Sequence, residues 1–125
     1  MPKNKGVKRV MLAGVYALTG VRAALTHEAA FRQEALLAVI FLPIACLLDI
    51  TRVERVLLVA VTLLVLIVEL LNSAVEAVVD RIGPELHELS GRAKDMGSGA
   101  VLLSLLLWLW TWAEIAVLPL LPLAG

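Results

Sequence analysis

Residues 55–80 read RVLLVAVTLLVLIVELLNSAVEAVVD, and this stretch decides the fold. Thirteen uncharged residues separate Arg55 from Glu69, and the run stays apolar to Val79 except at Glu69, Asn72, Ser73 and Glu76. An apolar segment of this length is long enough to cross a bilayer as a helix. At about 100° per helical residue, positions 69, 72, 73, 76 and 80 fall within about 100° of one another. One face of the helix therefore carries three carboxylates, an amide and a hydroxyl, and the other faces are hydrocarbon. A carboxylate near the bilayer centre is disfavoured by about 2.5–3.5 kcal/mol on insertion scales, so such groups face an interior or a watery cavity. A seam that merely joins helices would need one Asn or Ser, whereas Glu repeated at seven residues adds repulsion. The face reads as a functional site near one membrane surface.

Composition agrees. The chain has 125 residues, enough for a single domain over 1–125, and 61% of them are hydrophobic. That is more than a soluble domain of this size can bury, so the fold class is an all-α integral membrane protein. The formal charge of zero hides an asymmetry. Six of the eleven Lys and Arg lie in residues 1–34 and none follows Asp95. The lone Cys46, inside an apolar run, excludes an internal disulfide and reads as a packing residue. Arg22, His27 and Glu28 interrupt the first apolar segment, so no cleavable signal is expected.

Upstream of the central span, residues 5–28 are amphipathic at helical period. Val7, Val10, Met11, Gly14, Val15, Leu18, Val21 and Leu25 recur at three- and four-residue steps beside Lys8, Arg9 and Arg22. Such a helix suits the headgroup layer of anionic lipid. A first span is expected over about 29–48, with Phe31, Arg32, Gln33 and Glu34 at its wet end and Pro43 kinking it. The second runs over about 55–82 and stops at Gly83-Pro84. The third covers about 91–113, with Ser90 as its N-cap and the small residues Gly97, Ser98, Gly99 and Ala100 allowing close approach. Trp108, Trp110 and Trp112 read as an interfacial aromatic belt, and Pro119 and Pro122 close a frayed tail.

Three spans fix the topology. A cytoplasmic N-terminus puts nine Lys and Arg inside and only Arg52 and Arg55 outside, which satisfies the positive-inside rule. The C-terminus then lies on the opposite side. Glu76 and Asp80 fall near the cytoplasmic end of the second span, with Glu69 about 10 Å deeper at 1.5 Å per residue. Glu28, Glu34, Lys94 and Asp95 sit at the same level. Clustered carboxylates suit magnesium shared with substrate phosphates, and Lys94, Arg92 and Arg9 suit phosphate oxygens. Phosphoryl transfer unites these parts. No P-loop, dinucleotide fingerprint or protein-kinase catalytic loop is present, and His27 and His87 lack metal-ligand spacing. A small proton- or cation-coupled transporter subunit fits the same residues nearly as well. Three spans cannot bury this polar face alone, so an oligomer is expected.

The segments EAAFRQE at 28–34, ELLNSAVEAVVDRIG at 69–83 and ELHELSGRAKDMGS at 85–98 resemble the bacterial integral-membrane diacylglycerol kinases, a family that includes undecaprenol kinases. The likeness covers about residues 5–113. It departs from the family pattern at Leu18, Thr19 and Leu86. The resemblance implies a homotrimer in the bacterial inner membrane, each subunit having three spans and an N-terminal surface helix. It implies transfer of the γ-phosphoryl of MgATP to the primary hydroxyl of diacylglycerol, with magnesium as cofactor and no nucleic-acid partner. By matching position, Glu69 would take the hydroxyl proton, and Glu28 and Glu76 would hold the metal. Arg9, Tyr16, Glu85, Leu86, His87, Lys94 and Asp95 would contact the nucleotide. Arg22, Ala30, Phe31, Arg32, Gln33, Glu34 and Ser98 would border the lipid acceptor, with Asn72 and Asp80 in support. Undecaprenol kinase activity is the near alternative. Simpler roles also suit some of these positions: Glu34 as a cap, Asp80 as a surface ion pair with Arg81.

Overall fold

A computed structural model describes residues 5–83 and 87–122. Helix α1 spans Val7–His27, α2 Ala29–Leu47, α3 Arg52–Ile82 and α4 Glu88–Trp112, and a π-helical turn (Ala113–Val117) and a 3-10 turn (Leu118–Leu120) follow. All four helices, α4 with its following turns included, are long and apolar enough to cross a membrane by length and composition. The chain is an all-α membrane protein.

The connections show why the helices stop where they do. Between α2 and α3, Thr51 and Glu54 form a reciprocal capping box: Thr51 Oγ1 accepts from the Glu54 amide at 3.2 Å and Glu54 Oε1 from the Thr51 amide at 2.9 Å. At the other end of α3, Gly83 adopts φ 151°, a conformation open to glycine and strained for other residues. Pro43 lies inside α2, whose helix continues past it to Leu47.

The last carbonyls of α2 have no partners within their own helix. Arg55 supplies them. Its Nη1 donates to the carbonyls of Ala45 and Cys46, both at 2.7 Å, and its Nη2 donates to Ile50 at 3.4 Å. Removing this fork strands three backbone acceptors, two of them part-buried, so Arg55→Met should lower unfolding stability in micelles by about 1–3 kcal/mol. An unchanged denaturation midpoint would contradict that role.

Helix α3 packs most extensively against α4 and next against α2. Its inward face is Leu58, Val61, Thr62, Val65, Glu69 and Asn72, apolar at one end and acidic at the other. The apolar end forms the core: Ala45 and Leu58 are fully buried, and Trp112 is 6% exposed. Phe41 of α2 meets Trp108 and Trp112 edge-on, with ring centroids at 4.9 and 5.0 Å. Both indole N–H groups donate to Thr62 Oγ1, at 3.0 and 3.2 Å, while that hydroxyl donates to the Leu58 carbonyl at 2.7 Å. The hydroxyl is thereby saturated, one donor and two acceptor positions.

This corrects the expectation of an aromatic belt for two of the three tryptophans. Trp108 and Trp112, four residues apart, face inward to the Thr62 hydroxyl, and only Trp110 projects outward, at 64% exposure. Ser90 is not the cap of α4 either. His87 is, its Nδ1 accepting from the Leu89 amide at 3.1 Å. The segment after Trp112 continues in helical turns as far as Leu120.

Candidate active site

Opposite the tryptophan end, the α3 face turns polar. Glu69 is 5% exposed and Asn72 9% exposed, whereas Glu76, one heptad from Glu69, is half-buried. Asn72 Nδ2 donates to Glu76 Oε1 at 3.1 Å, so amide and carboxylate move as one unit. Among the described residues, Glu69 Oε2, Asn72 Oδ1 and Glu34 Oε2 are buried without a hydrogen-bond partner. Unpartnered oxygens of this kind are costly in a low-dielectric interior.

Two neighbouring helices complete the surroundings. From α2, Glu34 lies within electrostatic range of Glu69, and Glu28, ahead of α2, acts on Glu69 together with Glu76. From α4, Gly97 presents bare backbone to Asn72: a Cβ there would overlap Asn72 Oδ1 and Cγ. Gly91 and Gly99 face open space, so of the small residues opening α4 it is Gly97 that permits the approach. Further out, Lys94 Nζ pairs with Asp80 Oδ1 at 2.7 Å. Asp80 therefore joins α3 to α4 and does not pair with Arg81. Arg92 is held by Glu88 at 3.3 Å, within its own helix.

Helix α1 stands across a groove. Small residues Ala17, Gly20 and Ala24 face Ala74 and Ala77 of α3, with Glu28 and Ser73 at the margin, around a space of about 670 Å³. A second, apolar groove of about 460 Å³ is lined by Val21, Leu25, Phe31, Ala35, Val39 and Leu66 among others. Glu28 thus adjoins a cleft lined mostly by small apolar residues.

The structure brings Glu28, Glu34, Glu69, Asn72 and Glu76 together and joins Lys94 to Asp80. It leaves Arg9, Tyr16, Arg22, Ala30, Arg32, Gln33, His87, Asp95 and Ser98 exposed, and buries Phe31. Glu85 and Leu86 lie outside the described residues. Sequence reasoning placed Thr62 on no face of interest and gave Arg55 no role. A lone Thr in a 13-residue apolar run was the available signal for the first.

Among the described residues, no group of three or more His, Cys, Asp or Glu could by itself hold a metal ion. Magnesium does not require such a group, since it takes one or two carboxylates and completes its shell with water and substrate phosphates.

The fold and this acidic interior define an all-helical integral membrane protein with a polar site set into its bundle. The family model for prokaryotic diacylglycerol kinase matches residues 15–116, and the chain belongs to that family. It is 55% identical over 107 residues to the diacylglycerol kinase of Escherichia coli K12, covering 86% of this chain and 88% of that protein. It is 56% identical over 110 residues to the diacylglycerol kinase of Pseudomonas aeruginosa, covering 88% and 89%. The Haemophilus influenzae diacylglycerol kinase is 46% identical over 115 residues, covering 92% and 98%.

Proposed function

We propose that this chain is an ATP-dependent lipid kinase that transfers the γ-phosphoryl group of ATP to the primary hydroxyl of 1,2-diacylglycerol, giving phosphatidic acid and ADP. The observation that carries this reading is Glu69: an almost fully buried carboxylate on an apolar helix, with one oxygen unpartnered among the described residues. The names of its relatives agree.

In this reading the diacylglycerol keeps its acyl chains in hydrocarbon while its glycerol hydroxyl reaches Glu69. Glu69 takes the hydroxyl proton as the oxygen attacks the γ-phosphorus. The new O–P bond forms, the bond to the β-phosphate oxygen breaks, and ADP leaves. Phosphoryl transfer of this kind is catalysed mainly by positioning and charge. Glu28 and Glu76 would hold magnesium, which when bound neutralises phosphate charge. Asn72 orients Glu76 through its amide, and Asp80 fixes the Lys94 ammonium for the phosphates. Arg9, Tyr16, His87 and Asp95 lie on the nucleotide side, with Glu85 and Leu86; Arg22, Ala30, Phe31, Gln33, Glu34 and Ser98 border the lipid.

The assembly is a homotrimer in the bacterial inner membrane. Helices α2, α3 and α4 span, α1 lies in the cytoplasmic headgroup layer, the N-terminus is cytoplasmic and the C-terminus is outside. The exposed apolar residues Val7, Val10, Met11 and Val15 beside Lys5, Lys8 and Arg9 support a surface position for α1. Nine Lys and Arg against two support the orientation.

Purified protein with labelled ATP, given diacylglycerol and undecaprenol separately, tests reaction class and acceptor together. Label is expected in phosphatidic acid; label in the polyprenol alone would overturn the acceptor. Glu76→Gln should raise the KM for MgATP by at least the roughly 10–100-fold that losing a mere supporting partner of a metal ligand costs. An unchanged KM would remove Glu76 from the metal.

A further inference from the structure

The geometry points to Arg32 as a positioning residue that locks the hinge carrying Glu28, through the end of α1 and not through the lipid. This rests on the reading of Glu28 as a metal-holding carboxylate.

Helices α1 and α2 are separated by one non-helical residue. Glu28, with φ −113° and ψ 108°, ends one helix and begins the next. Its amide donates to the Ala24 carbonyl at 2.9 Å, and its own carbonyl accepts from the Arg32 amide at 3.1 Å. Its side chain makes no capping bond, so the carboxylate is left for another partner. A single extended residue between two helices is a weak joint, since two dihedral angles set the direction of the whole of α1. Little else restrains that helix: Val7, Val10, Met11, Val15, Tyr16 and Leu18 are all exposed, and Ala24, near the joint, is its one buried residue.

Arg32 bridges the joint. From the first turn of α2 its Nη1 reaches back to the carbonyls of Leu25 and Thr26, at 3.1 and 3.0 Å. These belong to the last turn of α1, whose carbonyls lack partners within the helix and carry its negative dipole end. One guanidinium nitrogen thus satisfies two acceptors and closes a ring through α1, Glu28 and α2. The resemblance sets Arg32 beside the lipid acceptor; its donors point instead at its own backbone. Arg55 does the same for the end of α2. At Arg32 the ring encloses a carboxylate that the reaction needs.

The test uses full-length trimer in bilayers and two readings of Arg32→Met. Spin labels at Leu18 of α1 and Val78 of α3, in a Cys46→Ser background diluted with unlabelled chains, report the α1–α3 distance. The distribution is expected to broaden in the variant. Kinetics should show the KM for MgATP rising about 10–100-fold, as when a supporting partner of a metal ligand is lost, with the KM for diacylglycerol unchanged. An unchanged distance distribution overturns the proposal. So does a rise confined to the lipid KM. Broadening in a chain whose wild type phosphorylates no lipid would instead sink the kinase reading and leave the clamp standing. Should Arg32→Met fail to assemble, both readings are taken on Arg32→Lys, whose ammonium on a flexible stem is less pre-organised than the planar guanidinium; smaller shifts of the same sign are then expected, and an absence of any shift would refute the proposal.

Discussion

Glu69→Gln should cut lipid phosphorylation severely while nucleotide binding persists. The substitution keeps the size of the side chain but exchanges one acceptor oxygen for an NH2 donor, and so removes the proton-accepting oxygen that the proposed reaction uses. General-base catalysis contributes roughly 10²–10⁴-fold, so turnover should fall by that factor. Folding should not suffer. Glu69 is 5% exposed and its Oε2 has no partner among the described residues, so that oxygen has no bond to lose, and a neutral amide is easier to bury than a carboxylate. The expected signature is threefold: kcat lost, MgATP affinity retained, thermal stability equal or higher. In the proposed reading Glu28 and Glu76 remain to hold the metal, which is why binding and chemistry should separate. Near-normal turnover in the variant would remove Glu69 from the chemistry.

The second large effect is expected far from that site. Trp112→Ala should cost about 3–5 kcal/mol of stability, the range for deleting a buried aromatic. Trp112 packs against Phe41, Leu58 and Val61 where α2, α3 and α4 converge, and surrounding lipid cannot fill the enclosed void. Thr62→Val separates packing from hydrogen bonding. It keeps the shape but leaves the indole N–H groups of Trp108 and Trp112 without their acceptor. Hydrogen bonds between membrane helices average about 0.6 kcal/mol and reach about 1.7, so this loss should be the smaller. Trp110→Ala, at a position 64% exposed, should change stability by less than about 0.5 kcal/mol. Denaturant unfolding in micelles ranks the three variants. Equal losses at Trp110 and Trp112 would return all three tryptophans to the interface.

The tryptophans also show where sequence reading stops. Trp108, Trp110 and Trp112 alternate, so on a helix they cannot share a face, and which ones turn inward depends on how α4 is rotated against α3. Their place near the end of a span suits interface and core alike. Arginine is ambiguous for the same reason. Its long side chain reaches a phosphate, a carboxylate or a helix-end carbonyl from one position, and only the neighbouring backbone decides. Lys94 reads from the sequence as a cation for phosphate oxygens, and α3 brings Asp80 to it at 2.7 Å.

What the chain alone determined was everything that one helix carries by itself. The 13-residue apolar run and its polar continuation fix a membrane helix with an acidic face, because helical period depends on no partner. The motifs at 28–34, 69–83 and 85–98 carry the family. Tertiary structure decided the pairings between helices: indoles on Thr62, guanidinium groups on the ends of α1 and α2, and Gly97 against Asn72. Such contacts are set by the rotation and separation of packed helices, which no single helix's spacing encodes.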